Sequence, residues 1–552
     1  MEDNKIYWKG LEELRNDTEF VKNAEREFPE GTPLPGTAAA DDVMPASRRD
    51  FLKVMGFGMA AVTLAACEAP VKTAVPYLNK PEEIEATIAN YYASTYFDSD
   101  GDYSSVLVKT REGRPIKIEP NPLSSITPIG TSTRSQGSLL GLYDLARIKG
   151  PHQAGKPAEW KAVDATIAQQ LQQVATSGKG IRIVSSTIIS PSTKAAIQEF
   201  TTKYPTARHI VYDANSFSGT LKANQSSFGQ AVLPFYNFDK ASVIVGLGNA
   251  DFLGTWPGHN IFMWQYAQTR KLGREKKNMS RHYQFEPMLS ITGCNADYRT
   301  PIKPSQEGLV AANLYNLVAK KAGASPLSVP ALEVQHLQQA ADELFAAKGA
   351  AVVVAGSNDP NVQTIVNGIN NLLGAYGATI DVNAPLNLKA GDDTAMANFA
   401  KEMAQGQVGA VIFYNANPVY DYPAGKQFGG DLKKVGLKIS FADRMDETAS
   451  LCDFVCPDHN FLEAWNDAEP RRGYYSLVQP TINPIFKTRA AQQSLLTWAG
   501  NPVAYENYIQ SYWRANLFAQ QNKYGSFKEF WTKTLHDGVF EPKTSASTAV
   551  TF

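Results

Sequence analysis

Cysteine is the residue type with the most direct chemical use in this sequence, and it is scarce. The 552 residues contain four cysteines: Cys67, Cys294, Cys452 and Cys456. Iron–sulfur clusters are held by cysteine thiolates, often supplied by a C-x2-C pair. No C-x2-C pair occurs in the chain. The sequence therefore argues against an iron–sulfur cluster that is held by this chain alone.

Two of the cysteines lie four residues apart in the stretch ETASLCDFVCPDHNF. Cys452 and Cys456 could form a disulfide or half of a metal site, or they could be two small buried hydrophobic residues. Strand geometry puts such a pair on one face with the Cα atoms well over ~7 Å apart, too far for a disulfide. We therefore favour the buried pair. His459, in PDHNFLE, is the best candidate metal ligand among seven scattered histidines, although a loop histidine is more often simply solvated.

Loops rich in Gly, Asn and Asp follow several apolar strands. In open α/β sheets, ligands bind beyond the carboxyl ends of the strands, where such loops converge. These residue types suit a nucleotide or a pterin, and they equally suit ordinary strand-to-helix turns. No complete G-x-G-x-x-G fingerprint is present. The candidate cleft residues are Gly246, Asn249, Asp251, Asn417, Asp446 and Glu447.

Apolar strands alternate with amphipathic helices along most of the chain. Strands are predicted near residues 180, 208, 241, 350, 408 and 437, and helices over 164–176, 192–204, 305–323 and 362–376. Ser104 to Pro122 reads as a hairpin that turns at residues 111–114. Such alternation favours parallel sheets that are covered on both faces. We predict an α/β fold with tandem doubly wound parallel-sheet domains and a small N-terminal β-rich domain.

The predicted division of the chain follows from these patterns. It comprises a leader over 1–66, a β-rich domain without cluster cysteines over 67–155, a first α/β domain over 156–345, a second α/β domain over 346–499, and a C-terminal tail or linker over 500–552.

The stretch SRRDFLKVMGFGMAAVTLAAC has the order of an export signal. Arg48 and Arg49 fit a twin-arginine motif. The uncharged run 54–66 is shorter than the ~20 residues that span a bilayer, but it suits a signal peptide. The final LAAC has the form of a bacterial lipobox, so we predict that Cys67 carries a lipid. That lipid would anchor the chain on the periplasmic side of the cytoplasmic membrane; the alternative is a core helix with a stray cysteine.

The composition excludes some classes of partner. The chain is 43% hydrophobic and 19% charged, with a formal net charge of −1, which is ordinary for a globular protein. No basic stripe with interleaved aromatic residues is present, so nucleic acid is not an expected partner. No apolar run reaches transmembrane length. Membrane contact is therefore expected through the lipid or through other subunits.

Six segments together resemble the molybdopterin oxidoreductase superfamily. They are VLVKTREGRPIKIEPNP, STRSQGSLLGLYDLARIKGP, GNADFLGTW, NADYRTPIKPSQEG, NANPVYDYP and MDETASLCDFVCPDHNFLEAWNDAEPRRGYYSLVQPTINP. The resemblance runs from about Tyr91 to Ala499. Together with the leader, it is greatest to the large iron–sulfur and molybdopterin-type subunits of alternative complex III, a bacterial respiratory quinol-oxidising assembly.

The sequence departs from that superfamily where its cofactors would bind. Active members carry a cysteine cluster for a [4Fe–4S] centre, but YYASTYFDSDGDYSSVLVKT has no cysteine and Ser132 stands where a later one falls. Hydroxyl groups do not replace thiolates in holding such a cluster. Cys294 is a conceivable molybdenum ligand, although TGCNADYR aligns better with a strand-end loop. The resemblance implies that the [4Fe–4S] cluster and molybdopterin are lost, that no catalytic or metal-binding residue remains, and that the candidate cleft residues are vestigial.

The resemblance also implies a function and partners. It predicts a non-catalytic scaffold that supports a ferredoxin-like iron–sulfur part, a multihaem cytochrome and an integral membrane quinol-binding subunit, and that serves a terminal oxidase or cytochrome. The iron–sulfur part would be a separate chain or a further half of a longer product. Two alternatives stay open. One is an active molybdopterin-dependent oxidoreductase, for instance a sulfur-compound reductase. The other is a lipoprotein that binds some other ligand.

Overall fold

The computed structural model of the chain describes residues 88–274, 276–542 and 552. All of these residues belong to one compact unit. Arg48, Arg49 and Cys67 lie outside the described residues, so the export signal and the lipid anchor stay predictions. Within the described part, no helix is both long and apolar enough to span a membrane.

The strands are β1 (Asn90–Phe97), β2 (Tyr103–Arg111), β3 (Arg114–Pro120), β4 (His152–Gln153), β5 (Lys156–Pro157), β6 (Gly180–Ser185), β7 (Ala207–Val211), β8 (Leu233–Tyr236), β9 (Val243–Leu247), β10 (Arg281–Glu286), β11 (Tyr298–Pro301), β12 (Ala351–Ala355), β13 (Ile380–Leu386), β14 (Val408–Tyr414), β15 (Leu437–Ser440), β16 (Phe454–Val455), β17 (Asn466–Arg471), β18 (Tyr474–Val478) and β19 (Val539–Phe540).

The α-helices are α1 (Thr133–Leu142), α2 (Trp160–Thr176), α3 (Pro191–Lys203), α4 (Ser218–Phe228), α5 (His259–Arg270), α6 (Ile291–Cys294), α7 (Glu307–Ala322), α8 (Leu337–Ala346), α9 (Pro360–Leu372), α10 (Asp393–Ala404), α11 (Pro418–Asp421), α12 (Gly425–Leu432), α13 (Ala491–Ala499), α14 (Tyr505–Asn516) and α15 (Phe527–Asp537). The strands and helices that the alternating pattern predicts are all present, with ends that agree to within about one helical turn.

The largest sheet has the strand order β5-β4-β16-β15-β14-β6-β7, and the five strands from β16 to β7 are parallel. All seven residues of its central strand β14 are buried. Ala410 and Ile412 pack among residues of α2, α3 and α13, whereas Val411 and Phe413 pack among residues of α10 and α12. Helices therefore cover both faces, as the apolar sequence of β14 predicts.

The second parallel sheet has the order β11-β10-β9-β12. In β9, Val243 and Val245 join a core with residues of α7, α8 and α9, and Ile244 joins a separate core that includes Phe238 and Phe252. This sheet is also doubly wound. The predicted fold class, α/β with doubly wound parallel sheets, is confirmed.

The two parallel sheets are interleaved along the chain, which differs from the predicted division at 345/346. β6 and β7 precede the whole second sheet in sequence, yet β6 pairs with β14, which follows it. A periodic pattern identifies a strand but does not identify its partner, and sequential strands are neighbours only about two-thirds of the time. A five-stranded sheet, β19-β18-β17-β13-β8, packs beside them.

An antiparallel sheet of β1, β2 and β3 precedes both parallel sheets in the described part. The hairpin predicted over 104–122 is β2 and β3. Its turn places Glu112 and Gly113 at φ 51° and 73°, the left-handed conformation that such short hairpin turns require.

The C-terminal segment differs from the tail or linker that we predicted over 500–552. In its described part it forms α14, α15 and β19. Tyr505, Ile509 and Trp513 recur every four residues on α14 and are buried with Phe530 and Trp531 of α15. This is the spacing of a helix with one apolar face, so the segment is part of the folded unit.

Truncation of Phe238 tests the core beneath the second sheet. Phe238 is fully buried, stacks on Phe252 at 4.3 Å between ring centroids, and meets Phe262 edge-on at 5.2 Å. We expect Phe238→Ala to lower the free energy of unfolding by about 3–5 kcal/mol, because it leaves a cavity. Urea denaturation measures this loss. Leu145→Ala, at an exposed position, should change it by less than about 0.5 kcal/mol; equal losses in both variants would contradict the assigned core.

Candidate functional site

A cleft of about 520 Å³ lies at the carboxyl ends of β6, β14, β15 and β16. β14 stands where the order of strands reverses: β6 and β7 extend the sheet on one side, and β15 and β16 extend it on the other. This reversal is where open α/β sheets bind ligands. Asn415, the first residue after β14, has φ 51°, a left-handed conformation that asparagine adopts more readily than most residues. The chain thus turns sharply along the cleft.

The lining of the cleft is strongly acidic. No lysine or arginine is among the described residues that line it. Its carboxyl groups come from the segments after β14, β15 and β16, and from the antiparallel sheets at the end of β1 and in β17. The lining aspartates are Asp98, Asp421, Asp443, Asp446, Asp458 and Asp467.

Asp458 follows β16 and lies against α13. Its Oδ1 accepts hydrogen bonds from the backbone N–H groups of His459 (2.8 Å) and Ala491 (3.0 Å). The hydroxyl of Tyr414 accepts a hydrogen bond from Gln492 Nε2 at 3.0 Å, and it also lies within hydrogen-bonding distance of the Asp458 carboxyl group. Burial raises the pKa of Asp458 to about 7. This carboxyl group therefore changes charge near neutral pH.

Asp467, near the start of β17, is a buried residue of the opposite wall. It accepts hydrogen bonds from Ser190 Oγ at 2.5 Å, from Trp513 Nε1 at 2.8 Å and from Ser192 Oγ. Burial raises the pKa of Asp467, and these donors oppose that rise. Asp467 joins β17, α3 and α14 in one hydrogen-bonded network, so its role is structural.

His459, the predicted candidate ligand, lines the cleft. Its Nδ1 lies 2.7 Å from Thr488 Oγ1, and burial lowers the pKa of the imidazole. Within the part of the chain that the structure describes, no three His, Cys, Asp or Glu side chains are arranged to hold a metal ion. His459 is therefore a wall residue with a protein partner.

Three of the six candidate cleft residues meet at the cleft. Asn417 and Asp446 line it. Asn417 donates to Glu447 Oε2 at 2.7 Å, and its Oδ1 accepts from Thr448 Oγ1 at 2.6 Å. Asp446 accepts from the backbone N–H of Ala449 at 2.7 Å, and burial raises its pKa. These contacts hold the loops after β14 and β15 together.

The other three candidates lie at the end of β9 in the second sheet and do not line the cleft. A Cβ on Gly246 would stand 1.9 Å from Gln284 Oε1, so glycine is required there for close packing. The backbone of Asn249 packs against Gly356. Asp251 accepts from the backbone N–H of Thr292 at 3.0 Å and from its hydroxyl at 2.8 Å. All three serve local packing.

The three cysteines in the described part are free. Cys456 is fully buried beside β16, Cys452 is half-buried, and Cys294 is exposed at the end of α6. Burial raises the pKa of Cys456 to about 12 and also raises the pKa of Cys452. Cys452 and Cys456 form no disulfide, as predicted, but only Cys456 has the fully buried side chain that we expected of both.

These residues do not fit the cofactors of the superfamily that the sequence resembles. Molybdopterin carries phosphate, and no lysine or arginine is among the described residues that line the cleft to pair with that phosphate. The sheet of β1 to β3 and the helix α1 contain no cysteine. Ser132, at the predicted place of a cluster thiolate, caps α1 instead: its Oγ accepts from the backbone N–H of Ser135 at 2.9 Å.

One buried ion pair fixes the wall of the cleft around Asn460. Arg147 and Glu463 face each other with two contacts, at 2.5 and 3.2 Å, and both side chains are fully buried. Glu463 also accepts from the backbone N–H groups of Asn460 (3.1 Å) and Ile485 (2.8 Å). The pair therefore joins the segment after α1 to the segment that carries Asp458 and His459.

Sequence reasoning missed several cleft residues, for identifiable reasons. Asp98 and Ser99 reach the cleft from β1, which belongs to an antiparallel sheet and not to a strand–loop–helix unit. Asp458 and Asp467 stand in the block PDHNFLEAWNDAEPR, on which the resemblance partly rests. That block was the available signal, because nine of its residues line the cleft: Asp458, His459, Asn460, Phe461, Ala464, Trp465, Asn466, Asp467 and Ala468.

Comparison with solved structures places the fold in a known class. The structure is similar to acetylene hydratase from Pelobacter acetylenicus with a TM-score of 0.61 and 13% sequence identity, over 74% of this chain and 69% of that chain. At this identity the likeness shows the fold alone, which is a molybdopterin oxidoreductase fold. No family model matches the chain.

Comparison with curated proteins gives a relative with a more specific name. The chain is 26% identical over 461 residues to the menaquinone reductase molybdopterin-binding-like subunit of Nitratidesulfovibrio vulgaris Hildenborough. The match covers 75% of this chain and 65% of that protein, so the chain spans somewhat less than two thirds of its relative. The predicted resemblance to the molybdopterin oxidoreductase superfamily is confirmed.

Removal of the charge on Glu463 tests the wall of the cleft. Glu463→Gln leaves the buried guanidinium of Arg147 without a counter-ion, so we expect a loss of about 3–5 kcal/mol in the free energy of unfolding. Thermal and urea unfolding measure it. The matched control is Glu159→Gln, whose partner Lys487 is as exposed as Glu159 itself; it should cost less than about 1 kcal/mol. A loss no larger than that of the control would show that the ion pair does not fix the wall.

The raised pKa of Asp458 predicts a pH dependence of stability. Its ordinary value is 3.8, so between about pH 4 and 7 the folded chain keeps a proton that the unfolded chain releases. This stabilisation is complete below about pH 4 and is lost as pH rises through about 7, at about 1.4 kcal/mol per pH unit. Asp458→Asn keeps the Oδ1 acceptor and should lack this loss.

The measurement is the difference in free energy of unfolding between wild type and variant from pH 4 to 8. We expect Asp458→Asn to gain stability relative to wild type across this range. Asp239→Asn, which changes an exposed carboxylate, is the control and should run parallel to wild type. Parallel curves for Asp458→Asn would contradict the assignment.

Proposed function

We propose that this chain is a non-catalytic, molybdopterin-oxidoreductase-like scaffold subunit of a membrane-bound respiratory complex that exchanges electrons with quinone. The support for a quinone-linked complex is the similarity to a subunit of menaquinone reductase. Among such complexes we favour a quinol-oxidising one of the alternative complex III type, because of the twin-arginine and lipobox order around Arg48, Arg49 and Cys67.

The observation that carries the non-catalytic role is the chemistry of the cleft. Its described lining has six aspartates and no cationic side chain. The phosphate of a phosphorylated pterin needs hydrogen-bond donors and positively charged side chains. This cleft presents carboxyl groups instead. The N-terminal sheet has no thiolate that could hold a [4Fe–4S] cluster next to such a cofactor.

The fold would then serve as a rigid support. The interleaved sheets join distant parts of the chain into one unit, and a rigid element suits the positioning of redox partners. We propose that the iron–sulfur clusters and haem lie in neighbouring subunits, namely a ferredoxin-like part, a multihaem cytochrome and a membrane subunit that binds the quinol. The chain would lie on the periplasmic side of the cytoplasmic membrane, with lipid on Cys67.

Metal and pterin analysis of the native complex tests this proposal. The detergent-extracted complex is analysed for molybdenum and tungsten by mass spectrometry and for pterin by fluorescence after oxidation. We expect neither metal nor pterin above background, together with iron and haem in the same sample. A molybdopterin enzyme that is purified in parallel controls for recovery.

Stoichiometric metal and pterin would overturn the scaffold role. That result would make the chain an active molybdopterin-dependent oxidoreductase whose metal ligand differs from the residues considered above. Absence of iron and haem as well would remove the respiratory complex and favour a lipoprotein that binds some other ligand.

A further inference from the structure

A basic loop, residues 271–280, joins α5 to β10 at the amino edge of the second parallel sheet. Its sequence is KLGREKKNMS. Lys271, Arg274, Lys276 and Lys277 are its cations, and Glu275 is its one acidic residue. The whole chain has a formal net charge of −1, so this concentration of positive charge is local.

The base of the basic loop is closed by fixed contacts. Thr269 Oγ1 and Ser280 Oγ are 3.0 Å apart, and Arg270 Nη1 donates to the backbone carbonyl of Ser280 at 2.6 Å. Arg270 also pairs with Asp297 at 2.8 Å. These contacts hold the two ends of the loop together.

The exposed residues of the basic loop combine cations with apolar side chains. Residues 271–274 and 276–279 are all exposed. Leu272 is 54% exposed and Met279 is 48% exposed. In the sequence, the two apolar residues bracket Arg274, Lys276 and Lys277.

The cations of the basic loop have no carboxylate within ion-pair distance among the residues that the structure describes. The arginines that flank the loop differ in this respect, since Arg270 pairs with Asp297 and Arg281 pairs with Glu343. Lys276 reaches only a backbone carbonyl, that of Gln268, at 2.5 Å. The charges of the loop are therefore available to an external anion.

We propose that the basic loop binds the anionic headgroups of a lipid bilayer. Lysine and arginine near an anionic membrane surface each contribute attraction that falls off within a Debye length. Exposed leucine and methionine next to them can enter the boundary between headgroups and acyl chains. The chain then contacts the membrane directly, in addition to any lipid on Cys67.

The observations favour a membrane over an acidic protein as the partner. An acidic protein is recognised by cations that are held in a fixed geometry, usually arginine in bidentate pairs. Here three of the four cations are lysines, and only Lys276 has a hydrogen bond that orients its side chain. Unoriented lysines beside exposed apolar side chains match a fluid, anionic surface. The inference is independent of the proposed function, because the assay below contains no other subunit.

Vesicle binding tests the proposal on the full chain, with Cys67→Ser in every sample to remove the predicted lipidation. The loop variant is Lys271→Gln, Arg274→Gln and Lys277→Gln together, which leaves the Lys276 contact intact. The matched control removes three exposed lysines elsewhere: Lys156→Gln, Lys161→Gln and Lys203→Gln. Co-sedimentation is measured with vesicles of phosphatidylglycerol and phosphatidylcholine in equal parts, with pure phosphatidylcholine vesicles, and with soluble poly-glutamate.

We expect the protein with an unaltered loop and the control variant to bind the anionic vesicles. The loop variant should bind them about a hundredfold more weakly, at roughly fivefold for each of the three charges removed. Binding should weaken as salt is added and should be absent with pure phosphatidylcholine. The proposal is overturned if the loop variant and the control variant bind the anionic vesicles equally. It is also overturned if the protein binds pure phosphatidylcholine vesicles as strongly as anionic ones. Loop-dependent binding to poly-glutamate but not to vesicles would instead assign the loop to an acidic protein partner.

Discussion

The burial of β14 on both faces is the constraint on which the rest of the structure depends. A parallel strand that is apolar on both sides must be covered by helices on both sides, and each of those helices must begin from a loop at the carboxyl edge of the sheet. The loops after β6, β14, β15 and β16 therefore converge on one edge, whatever their sequences. The cleft is a consequence of this packing. Its chemistry depends on the side chains that those loops carry. These include serine and threonine after β6, and aspartate and asparagine after β14, β15 and β16.

The contacts that hold the walls of the acidic cleft can be considered separately from the chemistry of the cleft. Asp467 and its donors, and Arg147 with Glu463, show that polar networks inside the protein hold the walls. Such networks stabilise the cleft without a ligand. Asp458, whose pKa is about 7, is held by backbone donors of the same wall. Contacts within the protein thus fix the walls of the cleft, whereas the fold alone does not establish what the cleft binds.

The sequence predicts the elements well and their pairing poorly. Strands such as VGAVIFY and helices such as α2 follow from periodicity, which is a local property. The pairing of β6 with β14 depends on a contact between distant segments, and no local pattern encodes it. The candidate site shows the same limit. The strand-end pattern selected Asn417 and Asp446, which line the cleft, and it selected Gly246 and Asp251 equally, which do not. Both sheets have the same local pattern, but this cleft lies at the edge of one of them. The strand-end pattern did not select Asp98, because Asp98 follows a strand of an antiparallel sheet.

The interleaving of the two sheets has a consequence for how the chain is made. During synthesis β6 and β7 emerge early, whereas β14, which flanks β6 in the sheet, emerges only after the entire second sheet. Until then one edge of β6 stays without a partner, and an unpaired apolar edge is prone to pair with other chains. The largest sheet, which contains β6 and β14, is also rich in contacts between residues that are distant in sequence, and such contacts slow folding. Protection of this edge during synthesis is therefore expected to favour correct folding, and the second parallel sheet is expected to form before the largest sheet is complete.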